Sequence, residues 1–159
     1  MKGAAKTNAM RILDRNKIPY KEHLYESDGF MDGVSIAEKL NQPLERVYKT
    51  LVAVGKSKKY YVFVIPVAEE LDLKSAAAAV GEKSVEMIHV KEINAVTGYI
   101  RGGCSPLGMK KQYKTVIDSS ALDFEEIYVS GGKIGSTVKV NTKALAKLCS
   151  GSFASLDEN

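Results

Sequence analysis

The chain has 159 residues, of which 45% are apolar and 26% charged, an ordinary globular balance with enough length for one domain and a buried core. No apolar run approaches the ~20 residues that cross a bilayer, and Met1 to Asn8 lacks the apolar centre of a signal peptide. These features argue against a membrane association and make a cytoplasmic location the expectation. Two cysteines, Cys104 and Cys149, point to reduced thiols in such a compartment and not a disulfide framework, and two distant histidines without ligand spacing, His23 and His89, argue against a zinc site.

Taken in order, Thr7 reads as the N-cap of a first helix, with Ala9, Met10, Ile12 and Leu13 as its apolar stripe. Pro19 disfavours a helical residue before it and ends that helix, and Tyr20 to Tyr25 follows as a short strand. After the loop Asp28 to Gly33, Val34, Ala37 and Leu40 mark a second helix. Pro43 then heads a short helical turn over Leu44 to Val47. Leu51 to Val54 and Tyr60 to Val67 predict a hairpin through Gly55 to Lys59. Leu73 to Val80 is helical by propensity and is stopped by Gly81. A short strand at Val85 to Met87 and a helix from Lys91 to Val96 come next. Further strands are expected at Tyr113 to Asp118, Glu126 to Ser130 and Thr137 to Val140. Asn141 caps a final helix over Thr142 to Leu148, and residues 150–159 read as a loose tail. Helices mixed with many strands predict an α+β or mixed α/β fold in a single domain covering 1–159.

Lys49 stands out because it adjoins an apolar strand, where a lysine needs an anionic or hydrogen-bonding partner. Gly102-Gly103-Cys104-Ser105-Pro106-Leu107-Gly108 is a small-residue loop whose backbone can approach a carboxylate, a phosphate or an oxyanion; taken by itself, a tight bend between strands is the better explanation. Ser130-Gly131-Gly132-Lys133-Ile134-Gly135 fits neither a P-loop nor a dinucleotide fingerprint and reads as a glycine hairpin. Cys104 has no histidine near it in sequence and reads as a packing residue, as does Cys149. Lysines group at 56, 58 and 59, at 110, 111 and 114, and at 139, 143 and 147. With the net charge of +4 they permit an RNA backbone as partner without requiring one.

These residues together resemble the YbaK-type Cys-tRNA(Pro) deacylase family, related to the editing domain of bacterial prolyl-tRNA synthetases. The resemblance runs through nearly the whole chain. It is carried by Thr7-Asn8-Ala9, Lys17-Ile18-Pro19-Tyr20, His23-Leu24-Tyr25, Ala37-Glu38-Lys39-Leu40 and Tyr48-Lys49-Thr50-Leu51. Thr97-Gly98-Tyr99, Gly102-Gly103, Ser105-Pro106-Leu107-Gly108 and Ile127 to Gly132 complete it.

The resemblance implies a compact mixed α/β domain with a partly barrel-like sheet flanked by helices. It implies trans-editing, in which cysteine is removed from Cys-tRNA(Pro), and also from Cys-tRNA(Cys), with no cofactor and no metal. Lys49 matches the family's essential lysine. Tyr25, Phe30, Thr50, Gly102, Gly103, Ser105, Pro106, Ser130 and Gly131 fall on pocket motifs. The family's reaction uses the thiol of the substrate's own cysteine, which leaves as a cyclic thioester. The partners implied are aminoacylated tRNA and prolyl-tRNA synthetase. An Ala-tRNA(Pro) deacylase of the same superfamily and a non-catalytic tRNA- or synthetase-binding module are the alternatives.

Overall fold

The computed structural model describes residues 6–27 and 31–157. Helix α1 (Asn8–Arg15) starts where expected, with the Thr7 side chain accepting from the Met10 N–H, and buries Ala9, Met10 and Leu13. Strand β1 (Tyr20–Leu24) follows, then α2 (Gly33–Leu40), capped by Asp32 and ended by Asn41 in the left-handed region. The 3-10 turn Leu44–Arg46 behind Pro43 leads into β2 (Tyr48–Gly55), which folds back on β3 (Tyr60–Pro66). Next come α3 (Leu73–Val80), β4 (Val85–Met87), a 3-10 turn (Val90–Glu92) and α4 (Ile93–Thr97). The chain ends with β5 (Lys114–Asp118), β6 (Glu126–Ser130), β7 (Ser136–Asn141), α5 (Thr142–Leu148) and β8 (Ser152–Ala154).

The strands form two sheets, one in the order β1-β7-β6 and one in the order β4-β2-β3-β5-β8. The first is antiparallel; the second is mixed, because β3 pairs parallel to β5 and β5 parallel to β8. A parallel bridge between Val47 and Tyr128 joins them. Tyr48, Val62, Val64 and Ile117 of one sheet share a core with Ile127, Val129, Val138 and Val140 of the other, so the two wrap around common apolar contents. The opposite face of β3 presents Tyr61, Phe63 and Ile65 to Ala76, Ala77 and Val80 of α3. Burial on both faces is why Tyr60 to Val67 reads as an unbroken apolar run and not as an alternation.

Two expectations change. Strand β2 begins at Tyr48, not Leu51, because Tyr48, Lys49 and Thr50 already pair with Pro66, Ile65 and Val64. Lys49 therefore lies within the strand. The tail, expected to be loose from Ser150, is tied down through Asp157. Strand β8 pairs with β5, and Leu71 bridges Asp157. Leu156 is fully buried, its N–H donating to Asp118 Oδ1 at 2.8 Å and its carbonyl accepting from the Asp72 N–H at 2.7 Å. Leu156→Ala leaves a cavity in a core that cannot collapse freely, and is expected to lower the unfolding free energy by about 2–5 kcal/mol in denaturant titration.

Candidate active site

A cleft of about 660 Å³ opens along one edge of β2. Six successive residues, Val47 to Val52, line it. Side chains of a strand alternate between faces, so an unbroken run of six means that the strand presents its edge. The edge is free because β4 pairs with β2 only over Ala53–Gly55, while β6 meets the chain at Val47. The other walls come from Tyr25 after β1, Ser130 and Thr137 of the β6–β7 hairpin, the start of α2, and the segments around Ile88 and Gly102. Helix α2 seats closely: a Cβ on Gly33 would lie 2.4 Å from Val67 Cγ1, inside van der Waals contact.

Lys49 projects from β2 into this cleft and is half-buried. Among the described residues its side chain makes no hydrogen bond and joins neither salt bridge. Asp32 and Glu70 line the same cleft, and Asp32 feels the charge of Lys49. The Ser35 backbone and side chain hold the Asp32 carboxyl below its ordinary range, with the positive field of Lys49 adding to the effect. Thr50 Oγ1 is also buried without a hydrogen-bond partner among the described residues. Burial pushes the Tyr25 phenol up, opposed by hydrogen bonds from the Gly135 backbone and the Thr137 hydroxyl, so Tyr25 is a neutral phenol at physiological pH.

The two glycine loops meet, and they divide the remaining expected residues into lining and support. Gly102 and Ser130 line the cleft. Gly103 does not: it is buried, its N–H donates to the Ile100 carbonyl at 2.9 Å, and a Cβ there would sit 2.9 Å from Lys133 Cα. Its role is the close approach of the loops; its amide is already committed and is not available to frame a carbonyl. Ser105, 1% exposed, accepts from the Leu107 N–H and lies behind the wall with buried Pro106. Gly131 is buried too, its carbonyl accepting from the Thr7 hydroxyl at 2.5 Å. Phe30 lies outside the described residues.

A family model of the aminoacyl-tRNA editing domain matches residues 31–148 of this chain. The chain belongs to the aminoacyl-tRNA editing-domain family. A relative from Enterococcus faecalis, which carries the provisional name Cys-tRNA(Pro)/Cys-tRNA(Cys) deacylase EbsC, is 46% identical over 152 residues, covering 95% of this chain and 93% of its own. A crystal structure provisionally described as a trans-editing enzyme for prolyl tRNA synthetase superposes with a TM-score of 0.82 at 22% identity, covering 98% of this chain and all (100%) of that one. The structure of hypothetical protein APE2540 gives a TM-score of 0.87 at 19% identity, covering 96% and 100%. These two likenesses are of fold.

Within this editing-domain cleft, several lining residues carry no motif signal in the sequence. Thr137, the Tyr25 partner, is one of many strand threonines. Asp32 reads only as part of the loop Asp28 to Gly33, and Arg101 as one basic residue before a glycine pair. The apolar wall of Met87, Ile88, Val90 and Ile93 belongs to three short elements whose convergence depends on tertiary packing. Among the described residues no histidine lines the cleft, no group of three or more potential metal ligands occurs, and no helix is long and apolar enough to cross a membrane.

Cys104 does line the cleft, but burial pushes its thiol from 9.0 up to about 11, opposed by a hydrogen bond from Thr97. Its thiolate fraction at pH 8 is then roughly 100-fold below that of an ordinary cysteine. Iodoacetamide is expected to alkylate it correspondingly slowly at pH 8, with the rate rising steeply toward pH 11. Cys104→Ser is expected to retain at least about half of the deacylation rate in a single-turnover assay, because so weakly ionised a thiol is a poor nucleophile.

Proposed function

We propose that this protein is a trans-editing aminoacyl-tRNA deacylase that removes cysteine from mischarged Cys-tRNA(Pro), and from Cys-tRNA(Cys). The observation that carries the reading is the cleft itself. It brings Lys49, without a partner among the described residues, beside Tyr25, Thr50, Gly102 and Ser130, while the one thiol in its wall is held protonated. Such a site positions an ester and stabilises charge, and among the described residues it offers no activated nucleophile. The name of the Enterococcus faecalis relative supports cysteine as the amino acid.

The aminoacyl bond is already an activated ester, so little further chemistry is needed. The substrate's thiol loses its proton and attacks its own ester carbonyl. The carbonyl–ribose C–O bond breaks, and the ribose oxygen takes up a proton equivalent to the one lost by the thiol. The cyclic thioester departs and is hydrolysed by water. Lys49 holds the carbonyl or an adjacent ribose or phosphate oxygen through a charge-assisted hydrogen bond. Tyr25, kept neutral, and the apolar wall enclose the adenosine and the small side chain.

Prolyl-tRNA synthetase is the proposed partner, and the cytoplasm the proposed location. A chain of 159 residues with a net charge of +4 has little surface with which to read tRNA identity. Binding of free tRNA is accordingly weak and weakened further by salt. The direct test of the function is whether the purified protein releases free tRNA from Cys-tRNA(Pro).

A further inference from the structure

Thr50 occupies a gap in the hydrogen-bonding edge of β2. Directions along that strand follow from the bonds flanking it. The Val47 carbonyl accepts from Val67 and the Gly55 N–H donates to Lys59, so odd-numbered residues turn their main-chain groups toward β3. The Val52 carbonyl accepts from Ile88 and the Lys56 N–H donates to Ser84, so even-numbered residues turn theirs the other way. Thr50 is even. Its N–H and C=O point away from β3, at a position that the β4 pairing does not reach and that lies beyond the bridge from β6 to Val47. Thr50 lines the cleft together with its neighbours from Val47 to Val52. The Thr50 hydroxyl, buried and without a hydrogen-bond partner among the described residues, lies at the same position.

A buried hydroxyl without a partner is costly unless a ligand or water satisfies it, and the same holds for main-chain groups on a strand edge that no neighbouring strand pairs. The ligand implied has one donor and one acceptor separated by a single tetrahedral carbon, since that is what a β residue offers to its neighbour. An α-aminoacyl ester has this pattern: an ammonium donor, the α-carbon, and a carbonyl acceptor.

We propose that Thr50 pairs with the aminoacyl group as though it were one added β residue. The Thr50 carbonyl accepts from the substrate's α-ammonium and the Thr50 N–H donates to the ester carbonyl oxygen, with the hydroxyl as a further donor at that point. This deepens the deacylase reading and rests on it. The pairing ignores the amino-acid side chain; it fixes the α-amino and carbonyl groups of any aminoacyl-tRNA. Selection for cysteine is then left to the thiol's own chemistry.

The test compares tRNA(Pro) carrying cysteine with the same tRNA carrying a 3-mercaptopropionyl group, which keeps the thiol and ester and lacks only the α-amine. Each enzymatic kcat/KM is divided by the spontaneous hydrolysis rate of that ester, which removes the intrinsic activation given by the ammonium. A hydrogen bond to a charged group supports a loss of about 10- to 100-fold for the mercaptopropionyl substrate. Equal normalised values would overturn the pairing. If Cys-tRNA(Pro) itself is not cleaved, it is the deacylase reading that fails. In parallel, Thr50→Val keeps the strand shape and removes the hydroxyl. A drop of about tenfold in kcat/KM for Cys-tRNA(Pro), restored by Thr50→Ser, supports the hydroxyl's part; full activity in the valine variant overturns that part.

Discussion

Lys49→Ala is expected to lower kcat/KM for Cys-tRNA(Pro) by about 10²–10³-fold, the usual consequence of removing a pre-positioned charged donor from a reacting ester. The fold should survive, because Lys49 is half-buried and its side chain makes no hydrogen bond or ion pair among the described residues. A circular-dichroism melt of the variant should match that of the wild type within a few degrees. Lys49→Arg is not expected to restore activity. The guanidinium is planar and longer, and a strand position opposite Ile65 gives it no way to place a single donor where an ammonium would be. A folded Lys49→Ala variant with wild-type turnover would remove Lys49 from the site.

The second large effect lies in the substrate. Replacing the cysteine on tRNA(Pro) with 2-aminobutyrate, whose methyl group stands where the thiol was, is expected to reduce single-turnover cleavage by more than about 10³-fold. Pocket fit alone cannot produce such a ratio: a group of that size changes binding by about 1–3 kcal/mol, or roughly 10–200-fold. The excess is the signature of a thiol that takes part in bond formation. Cleavage of both esters within tenfold of each other would mean that water or a protein group attacks instead. Cys104 would then have to be reconsidered, despite a thiol pushed up to about 11.

Much of the architecture is legible in the sequence because it is set by local chemistry. Asn141 accepts from the Ala144 N–H and starts α5, while Gly81, at φ 75°, ends α3. Strand β2 was partly hidden, since Lys49 has little strand character and interrupts the apolar run, and pairing with β3 carries the strand back to Tyr48. Strand β8 was hidden altogether. Ser152, Phe153 and Ala154 show no clear alternation, and they become a strand by adding to β5, which lies more than 30 residues earlier in the chain. The candidate site shows the same division. A lysine beside an apolar strand and two glycine loops are unusual local features, so they are visible. Which glycine faces the cleft is decided by how the two loops pack, and Gly103 is the one consumed by that contact. Thr137 enters the cleft only because β7 is paired between β1 and β6.

The most direct measurement is turnover by the purified protein of a small panel: tRNA(Pro) carrying cysteine, alanine, serine or proline, and tRNA(Cys) carrying cysteine. The account predicts rapid release of cysteine from both tRNAs, with the other three aminoacyl esters close to their spontaneous rates. Preferential removal of alanine, or no turnover of any member, would contradict it.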